Sequence, residues 1–206
     1  MSQPALTIRP EDPIGLAAER LVHAGVTRLP VVDPNGKLVG ILSRLDLLRQ
    51  VLDVPENADP NPQAAGVGRQ AGEVMSAQVP LVMEEAGLDS VVASFLASGE
   101  HRVIVVDADG IPTGLISDSD VIGRIQPKQR RGVLGALRGW TVPPDVSVSA
   151  RELMSPGVET ILASTTVVDA VRRMVSAGRK WLVVVDEAGK PVGLIDREIA
   201  LEALVR

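Results

Sequence analysis

The chain has no cysteine and no tyrosine, one phenylalanine and two tryptophans. Without cysteine it can form no disulfide, thiolate nucleophile or Cys-based zinc or iron–sulfur site, and this composition fits a reducing compartment. His23 and His101 alone supply imidazole, so a multi-histidine metal centre within one chain is not expected. The scarcity of aromatics argues against the base-stacking platforms of single-strand binders. A net charge of −5 argues against broad nucleic-acid binding and leaves room for a local anion site. No apolar run approaches the roughly 20 residues that span a bilayer. Met1-Ser-Gln-Pro-Ala has neither the basic start nor the apolar stretch of a secretory signal. The expected location is cytoplasmic. There is no nucleophile–base pair or Walker-type Gly-rich loop, so no catalytic residue is nominated and an enzyme is the weakest class. What is plentiful is apolar: 45% of 206 residues, enough to bury a core and too much for disorder throughout.

That apolar content is organised as a repeat. Leu29-Pro-Val-Val-Asp-Pro-Asn-Gly-Lys-Leu-Val-Gly-Ile-Leu-Ser43 recurs as Val103-Ile-Val-Val-Asp-Ala-Asp-Gly-Ile-Pro-Thr-Gly-Leu-Ile-Ser117 and as Leu182-Val-Val-Val-Asp-Glu-Ala-Gly-Lys-Pro-Val-Gly-Leu-Ile-Asp196. Gly114 follows Gly40 by 74 residues, and Gly193 follows Gly114 by 79. The same offsets, without gaps, bring Met1 onto Met75 and Met154, Ile8 onto Val82 and Ile161, and Gly25 onto Gly99 and Gly178. A repeat of this length is one supersecondary unit. The boundaries are a first unit at 1–52, a Pro/Gly-rich linker at 53–73, a second unit at 74–126, a basic linker at 127–150 and a third unit at 151–206.

Each unit is predicted to read β-α-β-β-α, an α/β (α+β) pattern whose apolar helix faces must pack on a sheet. Short strands are expected near 5–8, 79–82 and 158–161. The helices that follow carry apolar stripes: Ile14, Ala17, Ala18, Leu21, Val22; Leu88, Val91, Val92, Phe95, Leu96; Val167, Ala170, Val171, Met174, Val175. Asp12 before Pro13, and Thr165, are the expected helix starts. Gly25, Gly99 and Gly178 are the expected left-handed stops. Pro34-Asn-Gly, Ala108-Asp-Gly and Glu187-Ala-Gly read as hairpin turns, and closing helices begin at Ser43, Ser117 and Asp196. In the basic linker, Lys128, Arg130, Arg131 and Arg138 precede Trp140. Val133, Leu134 and Leu137 could face one side of a short helix. A linker helix packed on its own domain is the favoured reading there, ahead of a membrane surface.

The chemistry lies in Gly40-Ile-Leu-Ser43-Arg-Leu-Asp46 and Gly114-Leu-Ile-Ser117-Asp-Ser-Asp120. A strand end running into a helix start turns free N–H groups and a positive helix end toward one spot, which suits a phosphate. A serine hydroxyl can donate to phosphate, and an aspartate one turn on accepts from a diol such as ribose. Ser-x-x-Asp is equally close to a capping box, which needs no ligand. The third copy bears on the choice. Asp196 caps a helix well but repels a phosphate, and Ile199 replaces the acid. Two units therefore look ligand-competent and one structural.

The three units resemble CBS domains, the family named after cystathionine β-synthase, over almost the whole chain apart from the linkers. The resemblance implies that at least two units pair sheet to sheet as a Bateman module, with clefts that bind AMP, ADP, ATP or S-adenosylmethionine as regulatory ligands rather than obligatory cofactors. It nominates Ser43 and Asp46, and Ser117 and Asp120, for phosphate and ribose. His101-Arg102-Val-Ile-Val-Val-Asp also resembles the His-Arg-hydrophobic segment of the AMP-activated protein kinase gamma subunit. That adds His101 and Arg102, with Thr27 and Arg28 as their counterparts in the first unit. Arg28 and Arg102 could equally face water at a strand start, and His101 reads better as a strand-edge residue than as a pH switch. By the same resemblance, backbone near Leu6 and Pro80 would line an adenine. The implied function is a nucleotide-sensing regulatory module that changes conformation or oligomeric state. A ligand-free oligomerisation scaffold is the alternative. Three units leave one unpaired, so a homodimer is expected, together with an effector domain or partner protein not in this chain.

Overall fold

A computed structural model describes residues 5–52, 68–100, 102–124 and 148–205. His101, most of the Pro/Gly-rich linker, and the basic linker as far as 147 lie outside the described residues. Each repeat contains the predicted β-α-β-β-α order, and the second and third add lead elements that the pattern does not predict, a short helix in each and a two-residue strand in the third. The first has Ile8 bridged in parallel to Val31, then α1 (Ile14–His23), β1 (Arg28–Val32), β2 (Leu38–Ser43) and α2 (Arg44–Leu52). The second has α3 (Ala71–Val74), β3 (Leu81–Met83), α4 (Leu88–Ser98), β4 (Arg102–Val106), β5 (Pro112–Ser117) and α5 (Asp118–Arg124). The third has α6 (Ala150–Leu153), β6 (Ser155–Pro156), β7 (Thr160–Leu162), α7 (Val167–Ser176), β8 (Trp181–Val185), β9 (Pro191–Asp196) and α8 (Arg197–Val205).

The hairpins are built identically. Asp33 Oδ1 accepts from the N–H groups of Asn35 and Lys37 at 2.9 and 2.8 Å. Asp107 and Asp186 repeat the pattern with Asp109 and Ile111, and with Ala188 and Lys190. The chain then turns through Gly36, Gly110 and Gly189 at φ of 79°, 78° and 78°. A side-chain-stabilised turn closed by a residue at positive φ explains why Asp-x-x-Gly recurs.

Several boundaries differ from expectation. The strand expected at 5–8 contracts to the Ile8 bridge, and the next two lie at 81–83 and 160–162, each shifted toward its helix. The N-cap of α1 is Pro13, and the Asp12 carboxylate accepts from the Arg9 N–H instead. Thr166, not Thr165, caps α7, accepting from the Asp169 N–H at 3.1 Å. The end of the first linker is already structured, because Gln70 and Glu73 form a capping box for α3. Of the apolar stripes, Ile14 and Leu96 are exposed and Val22 and Val175 half-buried, and the rest are buried.

The described residues form two compact bodies. The first holds Met1–Met75 with Ser164–Leu182 and Ile195–Arg206; the second holds Ser76–Ala163 with Val183–Leu194. In the first body, α1 packs on α8, and α2 packs on both α7 and α8. Ala17, Ala18, Leu21, Leu48, Met174 and Leu201 are buried there. Arg44, itself buried, pairs with Glu198 at 2.7 Å.

The second body contains a sheet in the order β3-β4-β5-β6, together with β7 and most of β8 and β9. Val82, Val91, Phe95, Val103, Ile116 and Leu153 share its core. Two lead segments are exchanged inside it. Ser155 of the third repeat is in register with Leu115 of the second. Ser76 of the second repeat exchanges both backbone hydrogen bonds with Leu194 of the third, each 2.9 Å. The hairpin tips also meet: a Cβ placed at Gly110 would lie 4.0 Å from Lys190 Cε, and one at Gly189 would lie 3.4 Å from Ile111 Cδ1. Repeats two and three thus cover each other reciprocally.

Candidate functional site

The strand registers assemble the site. In the first hairpin, Arg28 is directly opposite Ser43; in the second, Arg102 is directly opposite Ser117. Each serine is the last residue of its strand, and the helix carrying the aspartate starts at the next residue. Arginine, serine and aspartate therefore come together at the same end of each hairpin, although Arg28 and Asp46 are 18 positions apart in sequence.

The capping box forms in both copies. Asp46 Oδ2 accepts from the Ser43 N–H at 2.9 Å and from its hydroxyl at 2.6 Å, while the Asp46 N–H faces Ser43 Oγ at 3.4 Å. Asp120 repeats this with Ser117 at 2.9, 2.5 and 3.3 Å. The supply of free N–H groups at the first helix is correspondingly smaller than its sequence implies: the Arg44 N–H is also engaged, to the Thr27 carbonyl at 3.3 Å. A phosphate here would depend on Arg28 and a reoriented Ser43 hydroxyl more than on the helix end. The Ser43 hydroxyl, and after it the Ser43 N–H, hold the Asp46 carboxyl below the ordinary carboxylate range, because both bonds favour the charged form. At neutral pH Asp46 is an ionised acceptor, the state a diol requires.

The two sites differ in how committed they are. Asp46 is exposed, and among the described residues its Oδ1 makes no hydrogen bond; Arg28 is likewise exposed and makes none. Asp120 is half-buried, and its Oδ1 accepts from the Ser155 hydroxyl at 3.1 Å. Arg124 stands 3.9 Å from the same oxygen while donating to the Met154 carbonyl at 2.6 Å. Ser155 and Arg124 were not nominated from sequence. Met-Ser recurs at 1, 75 and 154, but nothing in that recurrence shows that one repeat's serine reaches another repeat's aspartate.

The remaining nominated residues are less converged. Thr27 is exposed at the start of the first hairpin, Leu6 is exposed ahead of Ile8, and Pro80 is half-buried with its carbonyl accepting from the Ile104 N–H at 2.9 Å. In the third repeat Asp196 Oδ1 accepts from the N–H groups of Glu198 and Ile199, both at 2.9 Å, so the side chain is spent on the helix start. Trp181 stands where the others have arginine. A cavity lined by Thr7, Arg9, Asp12, Arg20 and Asp33 lies at the turn end of the first hairpin, away from Ser43 and Asp46.

The sequence profile of the CBS domain matches residues 1–53, 71–127 and 150–206. The chain belongs to the CBS domain family. Its three CBS repeats include the mixed α/β units described above. Among curated relatives, the chloroplastic CBS domain-containing protein CBSX1 of Arabidopsis thaliana is 30% identical over 146 residues, 61% of each chain. Among solved structures, MJ1225 of Methanocaldococcus jannaschii, described as a putative archaeal homologue of the AMP-activated kinase gamma subunit, superposes with a TM-score of 0.66 at 21% identity over 98% of this chain and 68% of that one. CBSX2 of Arabidopsis thaliana, solved in complex with AMP, gives a TM-score of 0.50 at 22% identity over 66% of this chain and 96% of that one. At these identities the structural likeness is one of fold. The chain spans from a quarter to about three fifths of the length of the curated relatives it matches.

Proposed function

We propose that this chain is a regulatory module that senses adenosine-containing nucleotides, AMP, ADP or ATP, with S-adenosylmethionine as a further candidate. The observation that carries the reading is the convergence of arginine, serine and aspartate in the first two repeats, against Trp181, Asp196 and Ile199 in the third. The AMP-bound state of CBSX2 supports it by kinship. In this reading Asp46 and Asp120 take the ribose diol. Ser43 and Ser117, with Arg28 and Arg102, take phosphate, and Thr27 and His101 flank it. Backbone near Leu6 and Pro80 borders the base. The module does no chemistry of its own, works in the cytoplasm as a homodimer, and reports to an effector outside this chain.

The signal has a physical route in the second repeat. A diol binding Asp120 competes with the Ser155 hydroxyl for Oδ1, and Ser155 belongs to the short strand that pairs with β5. Ligand therefore shifts the population between a seated and a released lead segment. The closed capping boxes favour a second reading, a scaffold whose Ser–Asp pairs cap their helices without a ligand.

Melting the protein with AMP, ADP, ATP and S-adenosylmethionine in turn separates the two. Ligand at 100-fold its Kd adds about 2.7 kcal/mol per site, a rise of roughly 5–10 °C for a chain of this size. Asp46→Ala and Asp120→Ala should each reduce it. No rise with any of the four at millimolar concentration leaves the scaffold.

A further inference from the structure

The cavity at the turn end of the first hairpin has a volume of about 490 Å³, room for one small molecule. Arg9, Arg20, Asp12 and Asp33 line it together with Thr7. Two cations and two anions thus face one space, yet among the described residues no ion pair joins either arginine to either aspartate. Backbone groups hold three of the four instead. Arg20 donates to the Thr7 carbonyl at 2.5 Å. Asp12 Oδ2 accepts from the Arg9 N–H at 2.9 Å, and Asp33 Oδ1 accepts from the Asn35 and Lys37 N–H groups. Asp12 Oδ1, Asp33 Oδ2 and the Arg9 guanidinium make no hydrogen bond among the described residues. Charges of both signs are therefore held apart around one cavity, with bonding capacity left over for a polar ligand.

Comparison among the repeats separates what the fold needs from what it does not. Asp33 belongs to the fold, because Asp107 and Asp186 close the same turn. Arg9 and Asp12 do not. By the repeat offsets Met83 and Leu162 stand in place of Arg9, and Ala86 and Thr165 in place of Asp12. The charged set is thus a property of the first repeat. A dianion such as phosphate would meet two carboxylates here, and a metal cation would meet two guanidinium groups, so each is opposed by like charge. A zwitterion satisfies both signs. We infer that this cavity binds a free α-amino acid, its carboxylate on Arg9 and Arg20 and its ammonium on Asp12 and Asp33. A guanidinium takes a carboxylate through paired charge-assisted bonds, and an ammonium donates to the carboxylate oxygens left over. The site lies away from Ser43 and Asp46 and does not depend on nucleotide binding.

The test is a melting scan of the full chain, without nucleotide, against each protein-forming L-amino acid at millimolar concentration. The amino acid that raises the midpoint most is then titrated by calorimetry. Its N-acetyl derivative lacks the ammonium and its amide lacks the carboxylate; each should bind about tenfold more weakly or worse, as expected for loss of a charge-assisted bond. Arg9→Gln and Asp12→Asn each remove one charge from the cavity and should weaken binding by a similar factor. Arg9→Gln should leave the melting curve of the unliganded chain unchanged, because among the described residues the Arg9 side chain is exposed and bonds nothing. Glu19→Gln, on α1 and outside the cavity lining, should leave binding unchanged. Binding of no amino acid at millimolar concentration overturns the inference. So does equal binding of the N-acetyl or amide form, and so does an affinity indifferent to Arg9→Gln or to Asp12→Asn.

Discussion

Gly114 offers the sharpest test of how the second and third repeats are joined. A methyl added there would lie 2.6 Å from Met154 Cγ and 2.8 Å from Met154 Cβ, and closer still to the sulfur. The thioether end can swing away. The Cβ cannot, because Met154 is held between its backbone bond to Ala150 at 2.8 Å and the pairing of Ser155 with Leu115. Gly114→Ala should therefore behave as overpacking and cost about 1–3 kcal/mol, a fall in melting midpoint of roughly 2–12 °C. Met154→Ala opens a cavity at a buried side chain and should cost about 2–5 kcal/mol alone. The double variant is the informative one. With Cγ and the sulfur gone, the two closest contacts go and only the Cβ at 2.8 Å remains, so the double variant should lose about 1 kcal/mol less than the sum of the single losses. Urea denaturation followed by circular dichroism measures all four corners. Additivity within about 0.5 kcal/mol would mean that Met154 does not sit on Gly114, and the exchange of lead segments would fall with it.

Three further outcomes follow from the same contacts. Ser155→Ala should tighten nucleotide binding at the second repeat by up to about tenfold, since it removes a competitor for Asp120 worth on the order of 1.5 kcal/mol; weaker or unchanged binding in calorimetry would refute the competition. Asp196→Ala should lower the melting midpoint through loss of an N-cap worth about 0.5–2 kcal/mol while leaving any nucleotide-induced rise intact. Asp46 is ionised below its ordinary range in the folded chain, so its contribution to stability is complete above about pH 3.9 and is lost as pH falls through the lower folded value. An acid titration should accordingly find Asp46→Asn less pH-sensitive than wild type on that flank, and equal sensitivity would remove the Ser43–Asp46 bond from the account.

The repeat made most of the fold legible because local rules act identically on three copies. Asp33, Asp107 and Asp186 close the same turn. Gly25, Gly99 and Gly178 all adopt the left-handed stop at φ of 61°, 67° and 64°. The caps differ by one residue, Pro13 for Asp12 and Thr166 for Thr165, because the Asp12 carboxylate turns back to the Arg9 N–H and Thr166 is the residue whose hydroxyl reaches the Asp169 N–H. The strand registers were not legible. That Arg28 faces Ser43 depends on a hairpin bulge at Val31 and Val32, which no periodicity announces. Nor was the partner of each lead segment: Ser76 on Leu194 and Ser155 on Leu115 are pairings between repeats, set by where the sheets meet. For the same reason Ser155 went unnoticed beside Asp120.

The central claim is that two repeats hold nucleotide and the third does not. Calorimetric titration of the full chain with AMP measures this directly. No more than two nucleotides per chain should bind, with one lost on Asp46→Ala, one lost on Asp120→Ala and none lost on Asp196→Ala. Three per chain, or binding that ignores both aspartates, would contradict the account.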